Sequence, residues 1–528
     1  MLTRKAALGT LVVIALPTLL YVGMLLFYPR RDVLILWERD FGVSPAIALA
    51  IGATAALYAV LLWRLLHEAP AQLSPAHKRA LVALFIAGGL ALQLFVTMAT
   101  EPDPFAGVAR RTFDWGTGGY WTVGAFVEDV RDFIGRYPER APTYPVHQMR
   151  HPPGLSLIFT AGAWLFRLPP QAWVEAAADL LRPQSCHSLR SVSTPAPIMA
   201  GAWVGMIAEG ALAMLVAWPL FAWVRRLADE RTAAWAVGLY GLTPGLSLWV
   251  SQFDRGIALA TVTILYFAER LVREQRLRFA WWAGFAFSVA TFMTFGAIPI
   301  ALIALVYAAV RLLQLVPSAT LPGLAKRIGA ALLLAALGAA SIWGAMWLWS
   351  GLDPFALYRV VFDSHLGIEF PYWPFVFWHP WDQVTMAGVP LVALMLARGW
   401  RERALPITAA YVITLGALSL AHVARAETGR VWLYFNPLVV AGAAVIFIAL
   451  PRSFAAGALA LLALQAVVQG ALLRPLVDSG IPPERYPRVE IPSDATHIDT
   501  RFTATGAIAL HAYRMAPAPP GREGRITL

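Results

Sequence analysis

The sequence has 528 residues, of which 59% are hydrophobic and only 14% charged, against roughly 25% charged in an ordinary soluble domain; a soluble fold is excluded and a polytopic membrane protein is implied. The formal charge of +11 would suggest nucleic acid in a soluble chain, but here the basic residues cluster at the ends of apolar runs, as cytoplasmic anchors do, so no nucleic-acid partner is needed. Only three lysines (Lys5, Lys78, Lys326) and one cysteine (Cys186) occur, which leaves Schiff-base chemistry without a good candidate and rules out an internal disulfide or a thiolate metal cluster.

In chain order, Arg4 and Lys5 precede an apolar run over 6–27 that is long enough, at roughly 20 residues, to cross hydrocarbon. It lacks a small-x-small cleavage site and reads as an uncleaved anchor. Further spans are expected at 44–63 and 80–98, with Arg64, His67, Lys78 and Arg79 between them. Those bases place that connection in the cytoplasm and residues 101–150 outside. The later clusters, from Arg225 and Arg226 through Arg270, Arg311 and Arg398 to Arg452, flank apolar segments on the same side.

The intervening turns carry most of the acidic and histidine side chains. Asp254 and Arg255 fall at one such turn, a loop of about 30 residues over 353–382 carries Asp363, His365, Glu369, His379 and Asp382, and Glu427 and Arg430 precede the span near 431. The stretch 155–166 is too short for a comfortable span and, with the amphipathic piece 171–181, should make no net crossing. The sum is an all-α polytopic membrane protein of about 13 transmembrane helices. It has N-terminal transmembrane helices over 1–98, a large extracytoplasmic loop over 99–153, a transmembrane core over 154–474 and a small extracytoplasmic tail over 475–528. Within that tail, 500–513 reads as one or two strands around a glycine turn.

Ionisable groups beside a bilayer are costly unless used, so the polar, aromatic loop 101–150 is the candidate site. It holds Asp114, Tyr120, Trp121, Glu128, Asp129, His147, Arg150 and His151. No phosphate-cradling Gly-rich loop, HExxH helix or GxSxG elbow is present. His147 and His151 have metal-ligand spacing, but Pro145 and Pro152–Pro153 disfavour a helix there, so no metal site is assigned. The aromatics Trp373, Phe375, Phe377, Trp378 and Trp381 read as an interfacial belt, and Glu209 as a hydrogen-bonded structural carboxyl.

Asp114 with Tyr120–Trp121 in the first large external loop, His151–Pro152–Pro153–Gly154 at its end, Thr243–Pro244 followed by Asp254, and Glu427–Thr428–Gly429–Arg430 with Pro437 together resemble the GT-C superfamily of integral membrane glycosyltransferases. That group includes protein O-mannosyltransferases and aminoarabinose transferases. The resemblance covers roughly residues 101–450, and departs from the usual pattern in that two extra spans precede the acidic loop and Trp115 follows Asp114 where relatives often have a second acid.

It implies a multi-pass enzyme of a bacterial plasma membrane that moves a sugar, with inversion, from a polyprenyl-phosphate donor to a glycan, lipid or protein acceptor at the extracytoplasmic face, with no tightly bound cofactor. Such transfer needs a carboxylate to take the acceptor proton and fixed positive charge or donors against the departing phosphate. Asp114 is the candidate base, with Glu128 or Asp129 as substitutes, and Asp254 is the second catalytic candidate. Arg430, Arg255, Arg150 and His151 are the phosphate candidates, because arginine offers a planar fork matched to phosphate oxygens. Tyr120, Trp121, His365 and Glu427 complete the expected substrate-binding set. A transporter or flippase of lipid-linked saccharides, or a silent scaffold that binds them, are the rival expectations.

Overall fold

The computed structural model describes residues 4–27, 31–32, 37–39, 43–99, 103–113, 119–182, 194–250, 252–315, 321–366, 371–400, 402–424, 428–475, 496–501, 509–516 and 525–527. It forms two units, Met1–Asp478 and Ser479–Leu528. In the smaller one, a strand at Thr496–Arg501 pairs antiparallel with Ala509–Ala516, which in turn pairs with Arg525–Thr527. The expected glycine turn, 502–508, lies outside the described residues.

The larger unit is helical. It opens with α1 (Arg4–Phe27), α2 (Pro45–Leu66) and α3 (Pro75–Met98). The loop region follows as short helices: α4 (Pro104–Phe113), α5 (Tyr120–Gly124), α6 (Val130–Gly135), α7 (Tyr137–Arg140) and α8 (Val146–Met149). Next come α9 (Gly154–Leu165), α10 (Gln171–Leu181), α11 (Ala196–Ala200), α12 (Ala202–Leu215), α13 (Ala217–Leu227), α14 (Glu230–Gly241) and α15 (Pro244–Leu248). The second half holds α16 (Asp254–Glu274), α17 (Arg278–Met293), α18 (Pro299–Leu315), α19 (Leu321–Ser350), α20 (Pro354–Leu366), α21 (Tyr372–Ala387) and α22 (Val389–Arg398). It closes with α23 (Leu405–Ala421), α24 (Thr428–Val431), α25 (Asn436–Phe447) and α26 (Arg452–Leu472).

Among the described residues, eight helical segments are long and apolar enough to cross a membrane: Leu8–Leu26, Pro45–Leu66, Pro75–Met98, Ala196–Leu227, Phe295–Leu315, Leu324–Ser350, Thr428–Phe447 and Arg452–Leu472. The protein is therefore a helical, multi-pass membrane protein. Thr428–Phe447 is the most enclosed of the eight, and Leu324–Ser350 the most peripheral. One expectation is corrected here: 353–382 is not a single loop but holds α20 and most of α21, the latter with Pro380 inside it. The short 155–166 stretch is the twelve-residue helix α9, and 171–181 is the eleven-residue α10.

Local chemistry sets the helix ends. Ser44 and Ser74 stand before Pro45 and Pro75, where proline is already shaped for a first helical turn, and the Ser74 hydroxyl caps α3 by accepting from the His77 amide. Asp229 caps α14, accepting from the Thr232 amide at 2.7 Å. Gly388, at φ 103°, breaks α21 from α22. The backbone groups stranded by the break, Val389 N–H and Thr385 C=O, are satisfied by the buried Gln465 amide at 2.8 and 2.9 Å, as hydrocarbon requires.

Charge gathers at one end of the bundle. Lys78 Nζ meets Glu230 at 2.8 Å, and the Leu73 amide donates to the same carboxylate at 2.9 Å, so the basic α2–α3 connection lies against the start of α14. At the C-terminal end of α16, fully buried Glu269 accepts from Tyr307 Oη at 2.7 Å and pairs with Arg311 at 3.1 Å and Arg273 at 2.5 Å. Glu274 pairs there with Arg270 and Arg226 at 2.8 and 3.1 Å. The other end of α16 begins the candidate site.

Candidate functional site

α16 is two-faced. Arg255, Ala258, Val262, Leu265, Glu269 and Val272, spaced three or four apart, are buried in the bundle. Gly256, Ala260, Thr263 and Phe267 form a second stripe at the same helical spacing, and this one lines a cavity of about 750 Å³. The facing wall is a stripe of α17 running from Trp282 to Met293, and Ala208, Ala211 and Leu212 of α12 with Leu155 and Ile158 of α9 complete it. Small side chains on α12, α16 and α17 leave the space that the larger ones bound. From Asp254 to Phe267 the helix advances about 20 Å, at 1.5 Å per residue, most of the roughly 30 Å of bilayer hydrocarbon.

The cavity is apolar along its length and polar at one end, where Tyr120, His151 and Asp254 line it. Tyr120 and His151 meet edge to face at 5.5 Å, and Tyr120 also packs on Phe253 at 5.8 Å. Asp254 Oδ2 pairs with Arg430 Nε at 3.3 Å, the two side chains being 12% and 4% exposed, and Arg430 Nη1 donates to Gln252 Oε1 at 3.4 Å. Burial and the fields of His147, Arg430, Arg150 and His365 lower the pKa of His151 from 6.5 to about 3. Burial first, and then the Asp254 carboxylate, push the Tyr120 phenol well above its usual value. Both side chains therefore stay neutral, and His151 Nδ1 is buried with no hydrogen-bond partner among the described residues.

Segments distant in sequence thus deliver Tyr120, Arg150, His151, Asp254, His365 and Arg430 to one region. Arg150 Nε reaches Ser364 Oγ at 3.5 Å, and His365 Nε2 bonds to the Val423 carbonyl at 2.7 Å. Other candidates stand elsewhere. Trp121 is core: it is 1% exposed, packs on Phe113 at 4.7 Å and its Nε1 donates to the Ile198 carbonyl at 3.3 Å. Arg255 does not line the cavity; it turns inward, donating to Gln93 Oε1 at 2.8 Å and the Leu246 carbonyl at 2.9 Å. There it interacts electrostatically with Glu209, a 4% exposed carboxyl on α12 whose Oε2 has no hydrogen-bond partner among the described residues. The expected hydrogen bond is thus not made at Oε2 among the described residues.

Of the substitute bases, Glu128 is exposed, and Asp129 caps α6, accepting from the Arg131 and Asp132 amides at 2.9 and 3.0 Å. Asp114, Cys186, Glu369 and Glu427 lie outside the described residues. Gln252, which contacts Arg430, is an addition; Asp382, which contacts the residues just before Arg430, stood among the ionisable groups of 353–382 without an assigned role.

This arrangement defines a class: a multi-pass helical protein with a deep apolar cavity that ends at a tyrosine, a histidine and a carboxylate, the carboxylate being paired with a buried arginine outside the lining. No protein-family model matches the chain, and no curated protein matches it.

A neutral His151 also makes a prediction. Between about pH 5 and 8 the ring should show no titration step, so the imidazole signals of the parent protein that are missing in His151→Gln should not shift with pH by NMR. A step near the usual histidine pKa that vanishes in the variant would show that the imidazole titrates.

Proposed function

We propose that the protein is a GT-C-like glycosyltransferase that moves a sugar from a polyprenyl-phosphate donor to an acceptor at the extracytoplasmic face of a bacterial plasma membrane. One observation carries the reading: a single cavity joins a polar head at Tyr120, His151 and Asp254 to an apolar shaft of about 20 Å, the two chemistries of a lipid-linked phosphate in one ligand. The basic cluster at the far end of α16 is what the positive-inside rule expects of a cytoplasmic end, and it supports an outward-facing head. The sugar's anomeric carbon loses its bond to the phosphate oxygen and gains one to the acceptor oxygen. The acceptor proton passes to a carboxylate, for which Asp114 is our candidate. The polyprenyl phosphate leaves with its charge against Arg430, with Arg150 nearby and His151 donating a neutral hydrogen bond. In this account Asp254 serves chiefly to orient Arg430.

A second reading, a flippase, is favoured by Glu209 and Arg255, which are buried charges within the bundle, since such groups mark substrate paths in transporters. Proteoliposomes carrying a donor labelled in its sugar separate the two. Transfer of label to an acceptor, lost in Asp114→Asn while donor binding persists, is the expected result. Movement of intact donor across the bilayer without cleavage would replace this reading with the flippase.

A further inference from the structure

We propose that Asp382 is the positioning residue for Arg430, clamping the helical turn that sets the guanidinium against Asp254 at the head of the cavity. The inference rests on the function proposed above for Arg430 and adds to it a residue that touches neither substrate nor cavity.

Arg430 lies in the opening turn of a long buried helical segment, where backbone donors need partners from outside the helix. The chain leaves α23 through His422, in a left-handed conformation at φ 51°, and α24 is the first turn of the helical segment Thr428–Phe447, where the leading N–H groups have no acceptor within the helix. Side chains of α20 and α21 supply partners to this turn and to the residues before it. Tyr372 Oη donates to the Leu420 carbonyl at 2.7 Å, and His365 Nε2 bonds to the Val423 carbonyl at 2.7 Å. Asp382 Oδ2 then accepts from both Thr428 Oγ1 at 3.1 Å and the Gly429 amide at 3.3 Å. One turn before Asp382, His379 packs on Trp432 at 5.5 Å, just past the arginine.

The clamp is buried throughout: Asp382 is 6% exposed, Thr428 0% and Arg430 4%. Water cannot stand in for the carboxylate there, so its loss leaves a buried hydroxyl and a buried amide without that acceptor. Arg430 follows Gly429 directly, and its guanidinium is met on the cavity side by Asp254 and Gln252. Two carboxylates on different helices thus fix the arginine, Asp254 at its side chain and Asp382 at the backbone beneath it. This also gives His365 a role: it holds the preceding turn by its carbonyl.

The test uses the full chain in detergent and farnesyl phosphate as probe, with affinity read by calorimetry and folding by thermal unfolding. Asp382→Ala should weaken binding by about tenfold or more, the effect of an unsatisfied buried donor. Asp382→Asn keeps an acceptor oxygen for Thr428 and Gly429 and should restore affinity to within about threefold. A carboxylate that served folding alone would lower the melting temperature of Asp382→Ala and leave its affinity at the parent value, which overturns the inference. If Asp382→Ala does not fold, Thr428→Val, which removes one donor, carries the test with an expected loss of about threefold. Parent-like affinity in Asp382→Ala or Thr428→Val while Arg430→Ala is impaired overturns the inference and leaves the proposed function standing. Parent-like affinity in Arg430→Ala removes the proposed function and this inference with it.

Discussion

Replacing Arg430 by alanine is expected to weaken binding of a polyprenyl phosphate by about a hundredfold, the scale of one charge-assisted hydrogen bond to phosphate. The same change leaves Asp254, 12% exposed, without the guanidinium that faces it, and stranding one member of a buried pair costs about 3 kcal/mol or more of stability. The two effects separate in the double variant Arg430→Ala/Asp254→Asn, which removes the stranded charge. Its melting temperature should recover most of the loss, whereas its affinity should not. Affinity within threefold of the parent in Arg430→Ala would remove the arginine from the phosphate site.

Filling the shaft is the second large effect. Ala260 lies on the cavity-lining stripe of α16, about 9 Å below Asp254 along the helix. A polyprenyl tail already in bilayer hydrocarbon gains no transfer energy by entering an apolar cavity, because lipid tails are as apolar as the wall. What the shaft supplies is registration of the head against Arg430. Ala260→Trp should therefore act sterically, at the 1–3 kcal/mol typical of overpacking, and reduce polyprenyl-phosphate binding in bilayers by about tenfold or more. Dimethylallyl phosphate, too short to reach Ala260, should bind the variant as it binds the parent. Equal losses for both ligands would mean that the substitution distorts the head and that the shaft is not the tail's path.

The helical, membrane-spanning character was legible from composition, and the meeting of Tyr120, His151, Asp254 and Arg430 followed from the sidedness of charge along the chain. What the sequence did not disclose was direction. Asp254 and Arg255 were assigned together, yet neighbours on a helix project about 100° apart, so when one lines the cavity the other points into the bundle, to Gln93 and the Leu246 carbonyl. Tyr120 and Trp121 repeat the case on α5, the first in the cavity and the second in the core. Asp129 looked like a spare base because a capping carboxylate and a catalytic one share the same residue type. The region 353–382 read as a loop because Pro371, Pro374 and Pro380 and a run of aromatics obscure the helical period of α21, which contains Pro380. The cavity itself was written in the small-to-large run Gly256, Ala260, Thr263 and Phe267, a stripe visible only once the other face of α16 is known to be packed.

α16 is tethered at both extremities. Asp254 and Arg255 secure its beginning through Arg430 and Gln93, and Glu269 and Glu274 secure its finish through Arg311 and Arg226. A rod fastened in this way cannot travel along its own axis like a piston. The other walls of the cavity belong to α9, α12 and α17, and the crossing of α17 with α19 is a close one, since a methyl group on either Gly284 or Gly338 would collide with the opposing backbone. α17 and α19 are thereby joined as a pair, and α16 is the anchored wall of the cavity.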